Sequence, residues 1–124
     1  MGEVKKVLVV DDDEDVIASI CDFLVGVDGH ACVGFDDAAR ALEFMRVIDD
    51  DALPNLILTD YEMPGMNGLE FCRQLRANER YKHIRVVVCS GSAPADIGRT
   101  FDGVPVEILI KPLDMKSIRA MLKS

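Results

Sequence analysis

Four places in this 124-residue chain bring charged or hydroxyl side chains to the end of a short apolar run. Val7-Leu8-Val9-Val10 ends in Asp11-Asp12, and Leu56-Ile57-Leu58-Thr59 ends in Asp60. Val86-Val87-Val88-Cys89 ends in Ser90, and Ile108-Leu109-Ile110 ends in Lys111. Runs of this length and β-branched character read as buried strands. In open parallel sheets the crevice for chemistry lies just beyond the carboxyl ends of the strands. Three carboxylates meeting there would repel one another and raise each other's pKa. A hard divalent cation with oxygen ligands removes the conflict. Mg²⁺ fits because it accepts few carboxylates and keeps positions for water or phosphate oxygens. Lys111 adds a point charge for a carboxylate or a phosphate, and the Ser90 hydroxyl can donate to a phosphoryl oxygen. Nucleophile, cation, ammonium and hydroxyl make a complete set for placing a phosphoryl group on a carboxylate. No His, Cys or activated Ser in this set supports acyl transfer.

The elements that must position these groups follow from apolar periodicity. Val16, Ile17, Ile20, Cys21, Phe23 and Leu24 recur at helical spacing up to Gly26, with Asp13, Glu14 and Asp15 in the first turn, where acids complement the helix dipole. Ala31 to Phe35 reads as a second strand. A helix opened by Asp36-Asp37 then uses Ala38, Ala41, Leu42, Phe44, Met45 and Ile48. Asp49 to Pro54 is a polar, solvated connection that Pro54 keeps from continuing the helix, and the third strand covers 55–60. A further helix begins near Asn67 and uses Leu69, Phe71, Cys72 and Leu75; 77–83 is a charged loop. A fourth strand covers Ile84 to Cys89 and a fifth Val106 to Ile110. Between them, Pro94 to Gly103 carries the weakest helix signal, diluted by Gly98 and Thr100. Leu113, Met115, Ile118, Met121 and Leu122 form a last helix. This alternation predicts an α/β sandwich around a parallel sheet, and right-handed crossovers place all five strand ends at one edge.

Composition bounds the function. With 49% apolar residues, the chain is expected to form one globular domain with no effector domain after its last helix. A net charge of −8 argues against nucleic acid or an anionic membrane as a direct partner. No apolar run is long enough to cross a bilayer, and the amino terminus has no signal-peptide pattern. Cys21, Cys32, Cys72 and Cys89 are scattered among apolar neighbours, which predicts reduced thiols and a cytoplasmic compartment. His30 and His83 fall at loop edges without partners for metal binding or catalysis, and the methionines read as core filler.

Val9-Val10-Asp11-Asp12, Thr59-Asp60, Met63-Pro64-Gly65-Met66-Asn67-Gly68, Ser90 and Lys111-Pro112 resemble the receiver domains of two-component response regulators. The resemblance runs from about Val7 to Leu122 and rests on five motifs in order. It implies a single receiver domain over 1–124 with the (βα)₅ flavodoxin-like fold, strand order 2-1-3-4-5. It implies that Asp60 accepts phosphate from a phosphohistidine on a sensor histidine kinase or histidine phosphotransfer protein, and signals through contact with a downstream protein. The implied Mg²⁺ shell is Asp12 directly, Asp11 directly or through water, Asp60, and the backbone carbonyl of Glu62. Ser90 would be the switch hydroxyl and Lys111 the phosphate-pairing lysine, with a cis Lys111–Pro112 bond. Such a protein assists its own phosphorylation and dephosphorylation but is a switch, not a turnover enzyme.

Three positions depart from the family pattern. Asn67 stands where Asp is usual, in a loop position not expected to touch the phosphate. Ile108 replaces the usual Tyr or Phe three residues before Lys111, so an inward-turning ring cannot operate there, and the weak helix at 94–103 falls on the same face. Glu62 lies two residues after Asp60, where a hydrolytic water would approach. Competing functions fit less well. A haloacid-dehalogenase-type enzyme would use Asp11 and Asp13, but Asp15 stands where that motif wants Thr or Val. A calcium loop through Asp11, Asp13 and Asp15 fails because Val16 occupies the glycine position and no bidentate acid follows suitably. A receiver-like binding module that works without phosphorylation is opposed by the intact acids, Ser90 and Lys111, and favoured only by Ile108.

Overall fold

The alternating apolar runs build one five-stranded sheet, seen in a computed structural model that describes residues 3–91, 101 and 103–123. The strands are β1 (Lys6–Val10), β2 (Ala31–Phe35), β3 (Leu56–Asp60), β4 (Arg85–Ser90) and β5 (Glu107–Ile110). They lie in the order β2-β1-β3-β4-β5, and every pairing is parallel. The described helices are α1 (Glu14–Gly26), α2 (Ala38–Val47), α3 (Gly68–Ala77) and α4 (Met115–Lys123), with a 3-10 turn at Asp50–Ala52. The weakly helical stretch 94–103 lies outside the described residues except for Phe101 and Gly103.

Successive residues of a strand face opposite sides of the sheet, and here both sides are buried. Leu8, Val10, Ile57, Val86 and Val88 form one core with Ala41 and Met45 of α2 and Phe71 and Leu75 of α3. Val7, Val9, Leu56, Leu58 and Val87 form the other with Ile20 and Leu24 of α1 and Ile118 and Leu122 of α4. The continuous apolar runs are therefore required by helices on both faces.

All four described helices start on a capping side chain. Asp13 accepts from the Asp15 N–H, Asp37 from Arg40, Asn67 from Glu70 and Asp114 from Ser117, each at or below 3.0 Å. Each cap satisfies an otherwise orphaned donor and is worth about 1 kcal/mol. These caps place the helix starts close to the strand ends.

β4 runs to Ser90, one residue past the Cys89 expected. One sequence expectation needs correction. Cys21 on α1 and Cys32 on β2 are joined as a disulfide, with Cα atoms 5.3 Å apart. Helix packing on β2 brings the two together, which linear spacing does not reveal. Cys72 and Cys89 are free and buried, as expected, and burial pushes both thiols up to about 12.

Gly34 marks the closest approach of α1 to β2, because a Cβ there would stand 2.1 Å from Ile17 Cγ2. Ile17 is β-branched and has little rotamer freedom on a helix. Gly34→Ala is expected to lose about 1–3 kcal/mol of stability, the usual cost of overpacking. Urea unfolding checks it: Ile17→Ala in the same chain should recover part of the loss. An unchanged midpoint for Gly34→Ala would contradict this packing.

Candidate functional site

Hydrogen bonds that continue the sheet ladder past the strand ends fix the predicted residues at one edge. The Asp11 N–H donates to the Phe35 carbonyl at 3.1 Å, Tyr61 N–H to the Cys89 carbonyl at 3.0 Å, and Lys111 N–H to the Ser90 carbonyl at 2.8 Å. Register completes the arrangement by pairing Asp60 with Cys89 and Ser90 with Ile110. The Lys111–Pro112 peptide bond is cis, as the motif implied.

The side chains meet at this edge. Lys111 Nζ lies 3.1 Å from Asp60 Oδ1 and 3.5 Å from Asp11 Oδ2. One carboxylate oxygen from each of Asp11, Asp12 and Asp60 lies within 4.8 Å of the others. Asp60 and Asp11 are only 7% and 4% exposed, whereas Asp12 is open to solvent. Asp12, Asp60, Glu62, Asn67, Ser90 and Lys111 line a common cavity of about 720 Å³. Three clustered oxygen donors, two of them buried, are the donor chemistry of a hard divalent cation, so these residues fit Mg²⁺.

Electrostatics follows from the geometry. Burial raises the Asp60 carboxyl above its ordinary value, and the charges of Asp11 and Asp12 push the same way against the pull of Lys111. For Lys111, burial alone would lower the ammonium. The hydrogen bond to Asp60 and the charges of Asp11 and Asp60 outweigh it, leaving Lys111 above its ordinary value.

Neighbouring groups hold the three acids in place. Asp11 Oδ1 accepts the Asp13 N–H at 2.9 Å, tying the acid pair to the cap of α1. The buried Thr59 hydroxyl donates to the Asp60 carbonyl at 3.0 Å. Gly68 opens α3 so close to the loop that a Cβ would stand 2.8 Å from both the Asp60 carbonyl oxygen and Tyr61 Cα. Its N–H donates to the Tyr61 carbonyl at 2.8 Å. Thr59 and Gly68 stand within the sequence motifs, but the sequence assigned neither of them a role. Their signals were a hydroxyl directly before the strand-end acid and a glycine at the first helical position. Asn67 also lines the cavity, with its side chain committed to capping α3. Ile108 pairs with Val88 and packs, half-buried, against the α2–α3 core.

The family model for the response regulator receiver domain matches residues 7–123. The chain belongs to that family. Receiver domains are signalling switches of two-component systems that interact with histidine kinases and downstream effectors. Among curated relatives, a protein-glutamate methylesterase/protein-glutamine glutaminase 2 of Burkholderia thailandensis is 34% identical over 109 residues, covering 87% of this chain and 30% of the relative. The two-component response regulator ARR3 of Arabidopsis thaliana is 32% identical over 122 residues, covering 90% of this chain and 53% of the relative. This receiver thus spans less than two thirds of the length of either. A response regulator receiver protein from Pseudomonas putida superposes with a TM-score of 0.83 at 26% identity, covering 98% of this chain and 97% of the other.

The metal-free receiver should show its electrostatics in pH-dependent stability. Asp60 is raised on folding, so its protonated form favours the fold; that contribution is full below 3.8 and is lost as pH rises through the raised value. Lys111 is also raised, so its charged form favours the fold below 10.5, and that contribution is lost as pH rises through its folded value. Asp60→Asn removes the penalised charge and leaves Asp11 to partner Lys111. Its urea midpoint should exceed the parent's at pH 7 without divalent cation, and the gap should close on acidification. A gap that widens toward low pH contradicts this assignment.

Proposed function

We propose that this receiver is a Mg²⁺-dependent phosphoacceptor whose phosphorylated residue is Asp60. The observation that carries the reading is the 3.1 Å pairing of Lys111 with Asp60 inside the three-carboxylate cluster. Asp11, Asp12, Asp60 and the backbone carbonyl of Glu62 would hold the cation. When bound, Mg²⁺ supplies positive charge that offsets the crowded carboxylates and the incoming phosphoryl oxygens.

The reaction follows from the groups at the sheet edge. An Asp60 oxygen attacks the phosphorus of a phosphohistidine in line with the leaving imidazole. The new O–P bond forms as the P–N bond breaks, and the imidazole departs with the bonding electron pair. Lys111 exchanges its carboxylate partner for a phosphoryl oxygen, and the Ser90 hydroxyl donates to another. The donor is a sensor histidine kinase or histidine phosphotransfer protein, and output passes through contact with a downstream protein. The domain works as a cytoplasmic switch whose chemistry is confined to gaining and losing its own phosphoryl group. Among the described residues no helix is long and apolar enough to cross a membrane, and the net charge of −8 disfavours direct nucleic-acid contact. Residues 1–124 act as one receiver unit in this reading.

Treatment with acetyl phosphate tests the proposal. Intact-mass measurement should show one phosphoryl group that requires Mg²⁺, maps to the Asp60 peptide and is absent from Asp60→Asn. Label on the Asp11 peptide, or label that is independent of Mg²⁺, would contradict it.

Glu62 lines the cavity beside Asp60, on the path of a hydrolytic water. Glu62→Gln should change the rate at which the phosphorylated protein loses phosphate, and rates equal within error would remove Glu62 from this role.

A further inference from the structure

We propose that Cys21 and Cys32 form a reversible redox site, closed and opened by thiol–disulfide exchange with a small thiol of the glutathione class, that fastens α1 to β2. The inference rests on the cytoplasmic setting proposed above, because disulfides in a thiol-reducing compartment are characteristically transient and redox-sensing.

The four cysteines divide into two kinds. Cys72 and Cys89 are buried, with thiols pushed up to about 12, so they stay protonated and inert. Cys21 and Cys32 are half-buried and joined, with a Cα separation of 5.3 Å that a disulfide spans without moving the backbone. Unlike Cys72 and Cys89, both residues keep part of their surface accessible, which is what exchange with a small thiol or disulfide requires.

The exchange balances without a further reactant. The Cys32 thiolate attacks one sulfur of glutathione disulfide and releases a glutathione thiolate. The Cys21 thiolate then attacks the Cys32 sulfur of the mixed disulfide and releases the second. The protein loses two electrons and two thiol protons, and glutathione disulfide gains both to become two glutathione thiols.

Cys32 lies level with Val7, toward the far end of β2 from the site, so the bond can act on the site only through the two elements it joins. Asp11 hangs between the two bridged elements. Its N–H donates to the Phe35 carbonyl at the end of β2, and its Oδ1 accepts from Asp13, the cap of α1. Joining α1 to β2 therefore restrains both attachments of Asp11, the acid that also pairs with Lys111.

The full chain, equilibrated in buffers of graded reduced and oxidised glutathione, is alkylated and mapped by peptide mass while hydrogen exchange is followed over residues 11–17. Cys21 and Cys32 should gain and lose label together across these ratios, with Cys72 and Cys89 unlabelled until the protein unfolds. Exchange over 11–17 should be severalfold slower in the oxidised form, and Cys21→Ser should abolish that difference. Four results would overturn the proposal: no bond in excess glutathione disulfide, a bond that resists excess reduced glutathione, stable mixed disulfides, or equal exchange in the two states. None of these readouts uses Mg²⁺ or phosphoryl transfer, so a failure here is separate from a failure of the phosphoacceptor reading.

Discussion

A single ammonium group makes the acidic edge of this sheet tenable. Asp11 and Asp60 are buried within reach of Asp12, and Lys111 Nζ stands 3.1 and 3.5 Å from the two buried carboxylates. Like charges brought this close in a poorly solvated place would otherwise take up protons or separate. Lys111 offsets them only in part, as the raised Asp60 carboxyl shows. The surplus negative charge is what would draw in a divalent cation and, with it, a phosphoryl group. Function in this reading is the exchange of one set of positive partners for another.

The fold serves that edge by bringing residues one hundred positions apart into contact. Parallel pairing puts every strand's carboxyl end on the same side, and ladder bonds from Asp11, Tyr61 and Lys111 carry the register into the loops. Helices on both faces bury β1, β3 and β4, so the strands carrying the acids and Ser90 have little freedom to shift. Gly68 and Gly34 allow α3 and α1 to approach closely, one at Asp60 and the other beside β2. The site is thus a rigid mount with an unbalanced charge.

Much of this was legible in the sequence because each site residue ends an apolar run directly. Asp11, Asp12, Asp60 and Lys111 needed only the parallel-sheet rule to be gathered, and Asp13, Asp37 and Asn67 announced helix starts by residue type. What escaped depended on three-dimensional approach. The roles of Gly34 and Gly68 come from the distance between elements, which local pattern does not encode. Cys21 and Cys32 are paired by helix-on-sheet packing and not by motif spacing. The different settings of Asp11, buried and tied to Asp13, and Asp12, open to the cavity, follow from where the chain turns.

The central claim is that the cluster trades its lysine pairing for a cation and a tetrahedral phosphoryl group. A crystal structure determined with Mg²⁺ and beryllofluoride, a stable stand-in for that group, tests it most directly. The account predicts the metal against Asp11, Asp12 and Asp60, the beryllium on an Asp60 oxygen, and the Lys111 ammonium moved onto fluoride. Beryllofluoride absent from Asp60, with Lys111 still paired to that carboxylate and Mg²⁺ bound elsewhere, would contradict it.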